Sequence, residues 1–399
     1  MHESALAGEL VSLAWIALAA FLGPMLAASV RKTIPDVVWL LVLGVLIGPE
    51  ALDLAESSSG VLLVREVGLG MLFLLAGLEV EPSFLRARQG RVALLSWGVG
   101  LVLAVGAALL FVGVEEPRVA VVLGIAATST ALGTLLPILK ESGGTRSPLG
   151  RAVLAHGAVG ELAPVIAMSL LLSARSPELS ALVLVAFAVI AVAAVAVPAR
   201  IIASVPGLRR AFASGVHSTS QTLLRLALLV LTTLMTVSAV LDLDVVLGGF
   251  AAGLLLGRLV PAGSRTLRGK VEVAGYSFLI PVFFVTSGMA IDTGALADEA
   301  LLLVMVVGIA LFRGLPVWAS ERLFDTGSGL MDRRDQLALG LYSAAGLPII
   351  VAVTEIATRS GLVSTTEASV LVAAGAVTVL VFPLLAGIVR AGRQPGVPE

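Results

Sequence analysis

The sequence predicts an all-α polytopic membrane protein with about 13 transmembrane helices. Apolar residues make up 58% of the 399 residues and charged residues only 13%, which is about half the charged share of a soluble domain. Mean hydropathy is +1.05, and no linker between the apolar runs exceeds about 20 residues. This composition excludes a cytosolic enzyme, a nucleic-acid-binding protein and a disordered regulator.

Each apolar run is close to the length of about 20 residues that crosses the hydrocarbon core of a bilayer. The runs lie at about 10–30, 34–54, 60–80, 92–114, 118–139, 150–173, 179–203, 222–241, 243–260, 273–291, 299–320, 335–358 and 366–390. The first nine residues contain no Lys or Arg, so the first run is expected to be a retained span rather than a cleaved signal. We expect a single membrane domain over residues 1–399, without a soluble nucleotide-binding domain.

The loop charges predict the orientation of these spans. Of the 26 Lys and Arg residues, 21 fall in one set of alternate loops. The other set holds four, namely Arg65, Arg118, Arg175 and Arg359, and Arg313 lies inside a span. Cytoplasmic loops are enriched in Lys and Arg, so the N-terminus is expected outside and the C-terminus in the cytoplasm.

The order of motifs predicts an internal repeat. Asp36–Gly48 in span 2 resembles Asp244–Gly257 in span 9, and LFLLAGLEVE in span 3 resembles FFVTSGMAID in span 10. Spans 2–6 (repeat A, about 34–173) are therefore expected to be a copy of spans 9–13 (repeat B, about 243–391). The displacement of seven spans is odd, so the copies face opposite ways. Inverted five-helix repeats are typical of secondary transporters, whose site lies at the midplane.

The fourth span of each repeat contains residues that interrupt a helix. Span 5 reads GIAATSTALG around Thr128, Ser129 and Thr130, and span 12 reads SAAGLP from Ser343 to Pro348. Pro removes a backbone donor and Gly weakens a helix. Freed backbone groups inside a bilayer are tolerated only beside protein or water. Two interrupted spans at equivalent positions therefore indicate an ion site.

Two ionisable residues lie deep within spans, and an isolated charge there costs about 2.5–3.5 kcal/mol. Glu161 is about 16 Å and Arg313 about 12 Å from the cytoplasmic end of its span, so we expect them to pair or to face a water-filled funnel. A carboxylate binds a proton or an alkali cation, which makes Glu161 the predicted carrier and metal ligand. Neutral oxygens are expected from Thr128, Ser129 and Thr130. Arg313 stays protonated and compensates charge.

The secondary candidates for this site are Gly160, Ser343, Glu79 and Glu355. Glu79 lies at a predicted span end, and Glu355 lies near the outer end of span 12. His156 precedes Glu161 by five residues, about 140° around a helix, so we expect it to face another helix. The sequence has no Walker A, Rossmann or HExxH motif, and no cofactor is expected.

Six motifs occur in the same order along the chain as in a known family. They are LFLLAGLEVEP, ATSTA, the mid-span acid Glu161, PVFFVTSGMAID, LFRGLPV around Arg313, and SAAGLPIIVAV. Together they resemble the monovalent cation:proton antiporter family of sodium/proton and Kef-type potassium/proton exchangers. The resemblance implies an inverted-repeat fold with crossed, unwound spans 5 and 12, a homodimer and an elevator-like movement. Glu161 then matches the essential carboxylate and Arg313 the membrane-embedded Lys or Arg. Thr128 and Ser129 match the polar pair of the crossing helix.

The chain departs from this family pattern in two ways. Family members commonly carry Asp-Asp or Asn-Asp in span 6, where this chain has Gly160 and Glu161. With one titratable carboxylate and a permanently charged Arg313, we expect electroneutral exchange of one proton for one cation. The nucleotide-binding tail of Kef-type proteins is absent from this sequence, so any ligand gating is expected from another chain.

The predicted function is secondary active exchange of Na⁺ or K⁺ for H⁺ by alternating access in the inner cell membrane, without enzymatic activity. Two alternatives remain open. A sodium-coupled symporter of an organic anion, with a related inverted-repeat fold, would need a roomier cavity and a second cation site. A polytopic enzyme would use Glu161 and His156, whose helical separation disfavours joint action.

Overall fold

The computed structural model describes residues 2–30, 34–79, 88–132, 135, 147–172, 177–205, 207, 221–259, 264–294 and 299–391. All regular structure in these ranges is helical. The first nine helices are α1 (His2–Ser29), α2 (Asp36–Ile47), α3 (Ser59–Glu79), α4 (Arg88–Val112), α5 (Pro117–Ala127), α6 (Pro148–Leu171), α7 (Pro177–Ser204), α8 (Thr222–Val240) and α9 (Val245–Leu259).

Two of the remaining helices contain a π-helical turn. Helix α10 consists of Ser264–Ala274, the π turn Gly275–Leu279 and Ile280–Met289. Helix α11 consists of Glu299–Ile309, the π turn Ala310–Gly314 and Leu315–Leu323. The last three helices are α12 (Arg333–Ser343), α13 (Leu347–Arg359) and α14 (Thr365–Ala391).

The predicted apolar runs are confirmed as helices where the structure describes them. Within those ranges, ten helical segments are long and apolar enough to cross a membrane, and α12 and α13 together form one of them. Three shorter apolar helices, α2, α5 and α9, correspond to predicted spans 2, 5 and 9. Helix α5 has 11 residues and therefore extends about 16 Å, half the thickness of a hydrocarbon core. Most of predicted span 5 after Leu132 lies outside the described residues.

The prediction that Arg65 lies in a loop between two spans is wrong. This residue lies within α3, which begins at Ser59, and its side chain is buried. Its guanidinium carbon is 5.9 Å from the ring centroid of Phe283. A cation over an aromatic face is attracted by the ring quadrupole, so this contact helps to offset the cost of placing the charge inside the helix packing.

The chain divides into two compact units, each made of separate stretches of sequence. Unit 1 comprises Met1–Met25, Leu40–Val80 and Ser173–Met289, and unit 2 comprises Leu26–Trp39, Glu81–Leu172 and Ala290–Glu399. Unit 1 thus holds most of α1 and α2 together with α3 and α7–α10. Unit 2 holds α4–α6 and α11–α14.

Glycines allow two helix pairs of unit 1 to touch through their backbones. A Cβ atom placed on Gly44 of α2 would lie 2.9 Å from the Cα atom of Gly288 in α10. A Cβ atom placed on Gly253 of α9 would lie 2.9 Å from the Cα atom of Gly77 in α3. These separations leave no room for a methyl group, and small residues are what such close helix crossings require.

A methyl group at one of these crossings is expected to destabilise unit 1. In Gly253→Ala the new Cβ would clash with the Leu74 carbonyl and lie 2.8 Å from the backbone nitrogen of Leu78. We expect a loss of about 1–3 kcal/mol from this overpacking, measured as a lower thermal unfolding midpoint in detergent. Gly106→Ala in α4 is the control, because nothing lies within 4 Å of its added Cβ. Equal midpoints would contradict the packing argument.

In unit 2, α5 and α6 pack against each other and both contact α4 and α13. Helix α12 packs against α6, α11 and α14. This arrangement brings together the end of α5, the middle of α6, the π turn of α11 and the gap between α12 and α13.

Candidate functional site

Helix α5 ends where hydroxyl side chains bond to its own last carbonyls. The Thr128 Oγ1 donates to the Gly124 carbonyl at 2.8 Å, and the Ser129 Oγ donates to the Ala126 carbonyl at 2.9 Å. Bonds of this kind, to carbonyls three or four residues earlier, slightly destabilise a helix and often bend it. A hydroxyl that donates its hydrogen keeps its lone pairs, so both side chains still present oxygen acceptors.

A second break separates α12 from α13. Helix α12 ends at Ser343 and α13 begins at Leu347. Pro348 occupies the first turn of α13, where its missing N–H is no loss. Gly346 has no space for a side chain, because a Cβ there would lie 2.7 Å from the Ser129 carbonyl oxygen. The glycine and the proline predicted to interrupt span 12 therefore both have a structural role at the break.

The two breaks bond to each other and to α6. The Thr130 Oγ1 donates to the Ser343 carbonyl at 2.5 Å, and the Ala131 N–H donates to the Ala345 carbonyl at 2.6 Å. The Thr130 N–H donates to the Gly160 carbonyl at 3.0 Å. Backbone groups that leave a helix within a membrane need partners of this kind. The breaks thus form one hydrogen-bonded cluster.

Glu161 joins this cluster from the middle of α6. Its side chain is 5% exposed, and its Oε1 accepts a hydrogen bond from the Leu132 N–H at 2.6 Å. The side chains of Thr128, Ser129 and Thr130 are fully buried beside it along the same segment. One carboxylate and several neutral oxygens are hard donors of the type that binds a proton or an alkali cation.

Arg313 reaches the cluster from the π turn of α11, a type of helix irregularity that is frequent at functional sites. The side chain is 1% exposed. Its Nε donates to the Thr130 Oγ1 at 2.8 Å, and its Nη2 donates to the His156 carbonyl at 2.7 Å. The contacts described for Arg313 and Glu161 therefore meet in the segment from Thr130 to Leu132, rather than in a bond between the two charged groups.

Gly160 lies where a side chain would collide with this cluster. A Cβ atom there would be 2.5 Å from the Thr130 Cβ and 2.6 Å from the Arg313 Nη2. Where the family commonly has Asp or Asn, this chain has Gly160, and Arg313 and Thr130 fill the space that a side chain at this position would occupy.

Gly160→Ala is expected to disturb the cluster. The added methyl must push Arg313 or Thr130 aside, an overpacking cost of about 1–3 kcal/mol, and small misplacements in a site cost about 100-fold in rate. Na⁺-driven exchange in vesicles and the thermal midpoint in detergent measure the two effects. Gly98→Ala on α4 is the matched control, because its Cβ meets nothing within 4 Å. Wild-type exchange by Gly160→Ala would contradict this steric argument.

The structure separates the secondary candidates. Ser343 belongs to the cluster through its carbonyl, and its Oγ is buried with no hydrogen-bond partner among the described residues. Glu355 accepts a hydrogen bond from Arg359 in the last turn of α13. Glu79 is the last residue of α3 in unit 1 and pairs with Arg268. Neither of these acids bonds to the cluster in the contacts described.

Sequence reasoning missed Glu321. This residue lies in the last turn of α11 beside the exposed Arg322, so it looks like an interfacial charge, yet it is buried. It faces His156, whose prediction to face another helix is confirmed: the His156 Nε2 is 3.8 Å from the Glu321 Oε1. The available sequence signal was the pair of hydroxyl residues, Thr326 and Ser328, that follows the helix.

Comparisons with known proteins agree with this fold. The family model described as "Sodium/hydrogen exchanger, transmembrane" matches residues 17–389. YjbQ of Bacillus subtilis (strain 168), which is assigned as a Na(+)/H(+) antiporter, is 24% identical over 94% of this chain and 62% of its own length. The Na(+)/H(+)-K(+) antiporter GerN of Bacillus cereus is 24% identical over 89% of this chain and 90% of its own length. The chain thus spans about three-fifths of YjbQ and most of GerN.

Among solved structures, the sodium proton antiporter MjNhaP1 from Methanocaldococcus jannaschii at pH 8 matches with a TM-score of 0.67 and 18% identity. The match covers 96% of this chain and 98% of that chain, which shows a shared fold. The family is one of transporters rather than enzymes, and nothing in the comparisons supports a symporter. A chain matched over residues 17–389 by this family model is a member of it, and we conclude that this protein belongs to the sodium/hydrogen exchanger family.

Proposed function

We propose that the chain exchanges Na⁺ or K⁺ for H⁺ across a membrane by alternating access, with Glu161 as the group that both ions share. The observation that carries this proposal is the burial of Glu161 at the middle of α6, bonded to the segment that leaves α5. The names of YjbQ and GerN support Na⁺ and H⁺ as substrates, and that of GerN adds K⁺.

The residues around Glu161 suit both of its occupied states. When the carboxylate binds a cation, the lone pairs of Thr128, Ser129 and Thr130 and the hydroxyl of Ser343 are available as neutral ligands. When it binds a proton, the carboxyl group is neutral without further ligands. A hydroxyl oxygen does not distinguish Na⁺ from K⁺ by its chemistry, so both cations belong to the proposal.

Arg313 supplies a fixed positive charge beside the shared group. It stays protonated through the cycle, and its Nη1 is buried with no hydrogen-bond partner among the described residues. We propose that this guanidinium balances the carboxylate after one ion has left and before the next arrives. The Arg313 side chain also positions Thr130, through the bond from its Nε.

The direct test is a proton-gradient assay in vesicles that contain the purified protein. A pH-sensitive dye reports an imposed acid interior, and addition of NaCl or KCl outside is expected to release that gradient. Choline chloride is the control. The charge of its quaternary ammonium ion is covered by methyl groups, so carboxylate and hydroxyl oxygens cannot coordinate it as they coordinate an alkali cation. A gradient that no alkali cation releases, in vesicles shown to contain folded protein, would overturn the proposal.

The exchange is expected to be electroneutral. Glu161 carries the same net charge whether it holds H⁺ or Na⁺, so one cation crosses for one proton and Arg313 keeps its charge. If one net charge crossed per cycle, a membrane potential of 100 mV would add about 2.3 kcal/mol to the driving force for exchange. The ion gradient at which exchange stops would then change about 50-fold. Na⁺-driven proton flux measured with the potential clamped at 0 and −100 mV is therefore expected to end at the same gradient. A gradient that follows the imposed voltage would contradict one-for-one exchange.

The proposal includes a single transport domain of two inverted repeats. The contact of Gly44 with Gly288 joins α2 to α10, and that of Gly253 with Gly77 joins α9 to α3. In the proposed repeats, α2 of repeat A corresponds to α9 of repeat B, and α3 of repeat A corresponds to α10 of repeat B. The contact between α2 and α10 is therefore equivalent to the contact between α9 and α3. The unit boundaries support the same reading, since unit 1 holds most of the first two spans of each repeat and unit 2 the last three.

The proposal also includes the location and assembly of the protein. We propose a homodimer in the inner cell membrane, with the N-terminus outside and the C-terminus in the cytoplasm, on the support of the loop charges and the family resemblance. The chain has no cysteine, so single cysteines report sidedness cleanly. In intact cells, an impermeant maleimide is expected to label Glu115→Cys and not Asp325→Cys. Native mass spectrometry is expected to give twice the chain mass of 40.7 kDa.

A further inference from the structure

The hydroxyl of Ser343 differs from the other buried hydroxyls of unit 2. Ser343 is the last residue of α12, its side chain is fully buried, and its Oγ has no hydrogen-bond partner among the described residues. Within the part of unit 2 that the structure describes, every other buried serine or threonine donates its hydroxyl hydrogen to a carbonyl or a carboxylate. These residues are Ser96, Thr128, Ser129, Thr130, Ser169, Ser320, Thr326, Ser328, Thr354, Ser369 and Thr378. A buried polar atom is costly without a partner, so the Ser343 Oγ indicates a ligand that comes from outside the chain.

Hydrogen bonds hold Ser343 and Glu161 to the same short segment. The Ser343 carbonyl accepts from the Thr130 Oγ1 at 2.5 Å. The Glu161 Oε1 accepts from the Leu132 N–H at 2.6 Å. Two residues that are two positions apart in a chain have Cα atoms at most about 7 Å apart. The serine from α12 and the carboxylate from α6 are therefore anchored close to one small site.

Further bonds keep the width of this site fixed. The Ala131 N–H donates to the Ala345 carbonyl at 2.6 Å, and the Ser129 Oγ also donates to the Gly346 carbonyl at 3.3 Å. Together with the bond from Thr130, they join three consecutive residues of one break to the other break. A polar network whose members are all bonded is rigid. The spacing between Ser343 and Glu161 is therefore set by the protein rather than by the ion that occupies the site.

The position of Ser343 favours a cation as its ligand. The last carbonyls of a helix carry partial negative charge, and Ser343 ends a helix of 11 residues. A hydroxyl oxygen is a hard, neutral donor of the kind that alkali cations bind together with a carboxylate. A proton on Glu161 needs no such ligand, so this hydroxyl concerns the cation step and leaves the proton step unchanged.

We propose that Ser343 sets the preference of the exchanger for Na⁺ over K⁺, with its Oγ as a cation ligand supplied by α12. This inference rests on the proposed exchange function. The smaller ion needs oxygens close around it, and the bonds between the breaks prevent the walls from closing in. The Ser343 Oγ supplies an oxygen on the α12 side. When this oxygen is removed, the gap remains open to Na⁺, whereas the larger K⁺ still reaches the oxygens that are left.

Ser343→Ala tests this role in the vesicle assay. We expect the apparent affinity of exchange for Na⁺ to fall about tenfold and that for K⁺ to fall less than about threefold. The rate at saturating Na⁺ and the thermal midpoint are expected to stay near wild type, because the hydroxyl makes no bond to the protein. Equal losses of affinity for Na⁺ and K⁺, or no loss, would overturn the part of Ser343 in selectivity.

The matched control for this variant is Ser169→Ala. Ser169 is also buried in unit 2, but its hydroxyl donates to the Val165 carbonyl. It follows Glu161 on α6 by eight residues, or about 12 Å along the helix. We expect Ser169→Ala to keep the wild-type affinities for both cations.

A thiol at position 343 separates a ligand from a merely structural residue. Ser343→Cys nearly keeps the shape of the side chain but replaces a hard oxygen with a soft sulfur. K⁺ and Tl⁺ are similar in size, and Tl⁺ is the softer ion. If the side chain binds the cation, the preference for Tl⁺ over K⁺ is expected to rise about tenfold in Ser343→Cys, measured with nitrate salts. A structural role would lower both affinities together.

The thiol experiment has its own control and its own decisive outcome. The chain contains no cysteine, so no other thiol competes for Tl⁺. Ser169→Cys is expected to keep the wild-type ratio of the two affinities, because its side chain does not contact the ion. An unchanged ratio of Tl⁺ to K⁺ affinity in Ser343→Cys would overturn the assignment of Ser343 as a ligand.

A binding measurement keeps this inference separate from the proposed function. A ligand that binds the folded protein raises its thermal midpoint, and this is measured in detergent without any gradient. Against choline chloride at equal ionic strength, NaCl is expected to stabilise wild type more than Ser343→Ala. Equal stabilisation of the two would overturn the role of Ser343 even if exchange is confirmed. The expected difference in stabilisation without any exchange in vesicles would overturn the proposed function instead, and the cation ligand would stand.

Discussion

Glu161→Gln is expected to abolish cation-driven proton exchange, reducing it to the rate of vesicles without protein. The amide has nearly the size of the carboxylate and keeps an oxygen for the Leu132 N–H, so the fold is preserved. It neither takes up a proton nor balances a bound cation, so neither half of the cycle can proceed. The measurement is the Na⁺-induced and K⁺-induced release of an imposed proton gradient, with the thermal midpoint as a check of folding.

Two further variants sharpen this result. Glu272→Gln on α10 removes a carboxylate that pairs with Arg268 in unit 1, and it is expected to exchange at the wild-type rate. Glu161→Asp keeps the charge but shortens the side chain by one methylene, which draws it away from the Leu132 N–H. We expect exchange to persist there with a weaker apparent affinity for Na⁺. Undiminished exchange in Glu161→Gln would refute the assignment of the shared group.

Arg313→Ala is expected to cause the largest loss of stability among single changes in unit 2. The variant removes a fully buried side chain and two charge-assisted hydrogen bonds, to Thr130 and to the His156 carbonyl. Such bonds contribute about 1.5–3 kcal/mol each, and the carbonyl would lose its donor. We expect a loss of about 3–5 kcal/mol, seen as a lower thermal midpoint, together with a shifted pH profile of exchange and retained cation binding.

The control for Arg313→Ala lies on the same helix. Arg322 is exposed in the last turn of α11, and Arg322→Ala is expected to change the free energy of unfolding by less than about 0.5 kcal/mol. Arg313→Lys keeps the charge but offers one nitrogen in place of a planar fork, so its stability should be intermediate. A wild-type midpoint for Arg313→Ala would show that these hydrogen bonds contribute little.

The positions of the two helix breaks follow from local chemistry that a sequence displays. Hydroxyls at Thr128 and Ser129 bond to carbonyls three or four residues earlier, and Pro348 begins a helix more easily than it continues one. These effects act over a single helical turn. The segments that contain the breaks, and the apolar helices around them, were therefore predictable. The bonds that Thr130 and Ala131 make to the Ser343 and Ala345 carbonyls are tertiary contacts, and they were not.

The partners of the buried charges were not predictable in the same way. The depth of Arg313 follows from its position along α11, but its direction depends on the π turn Ala310–Gly314. A π turn changes the angular positions of the residues after it, and a 3.6-residue period contains no sign of it. Arg313 consequently contacts Thr130 and the carbonyl of His156, whereas the sequence led us to expect pairing with Glu161 or exposure to a funnel.

The arrangement of the chain into two units also lay beyond the sequence pattern. Apolar runs show which segments are helical, but α3 and α9 are far apart in sequence and touch through Gly77 and Gly253. The burial of Glu321 has the same origin, because it depends on a loop that folds back to bring Thr326 and Ser328 to the carboxylate. Contacts of this kind depend on the whole packing rather than on local composition.

Several bonds that join the two breaks are formed by main-chain atoms, among them the Ala131 N–H, the Ala345 carbonyl and the Ser343 carbonyl. Side-chain replacement leaves such atoms in place, so an alanine scan of this region would understate their importance. Replacing the amide of Ala131 with an ester, by incorporating lactic acid at that position, exchanges its N–H for an oxygen and so removes the donor while the side chain is kept. The same change weakens the Thr130 carbonyl as an acceptor. Substitutions at these positions are therefore expected to be limited by the volume of the new side chain rather than by its chemistry.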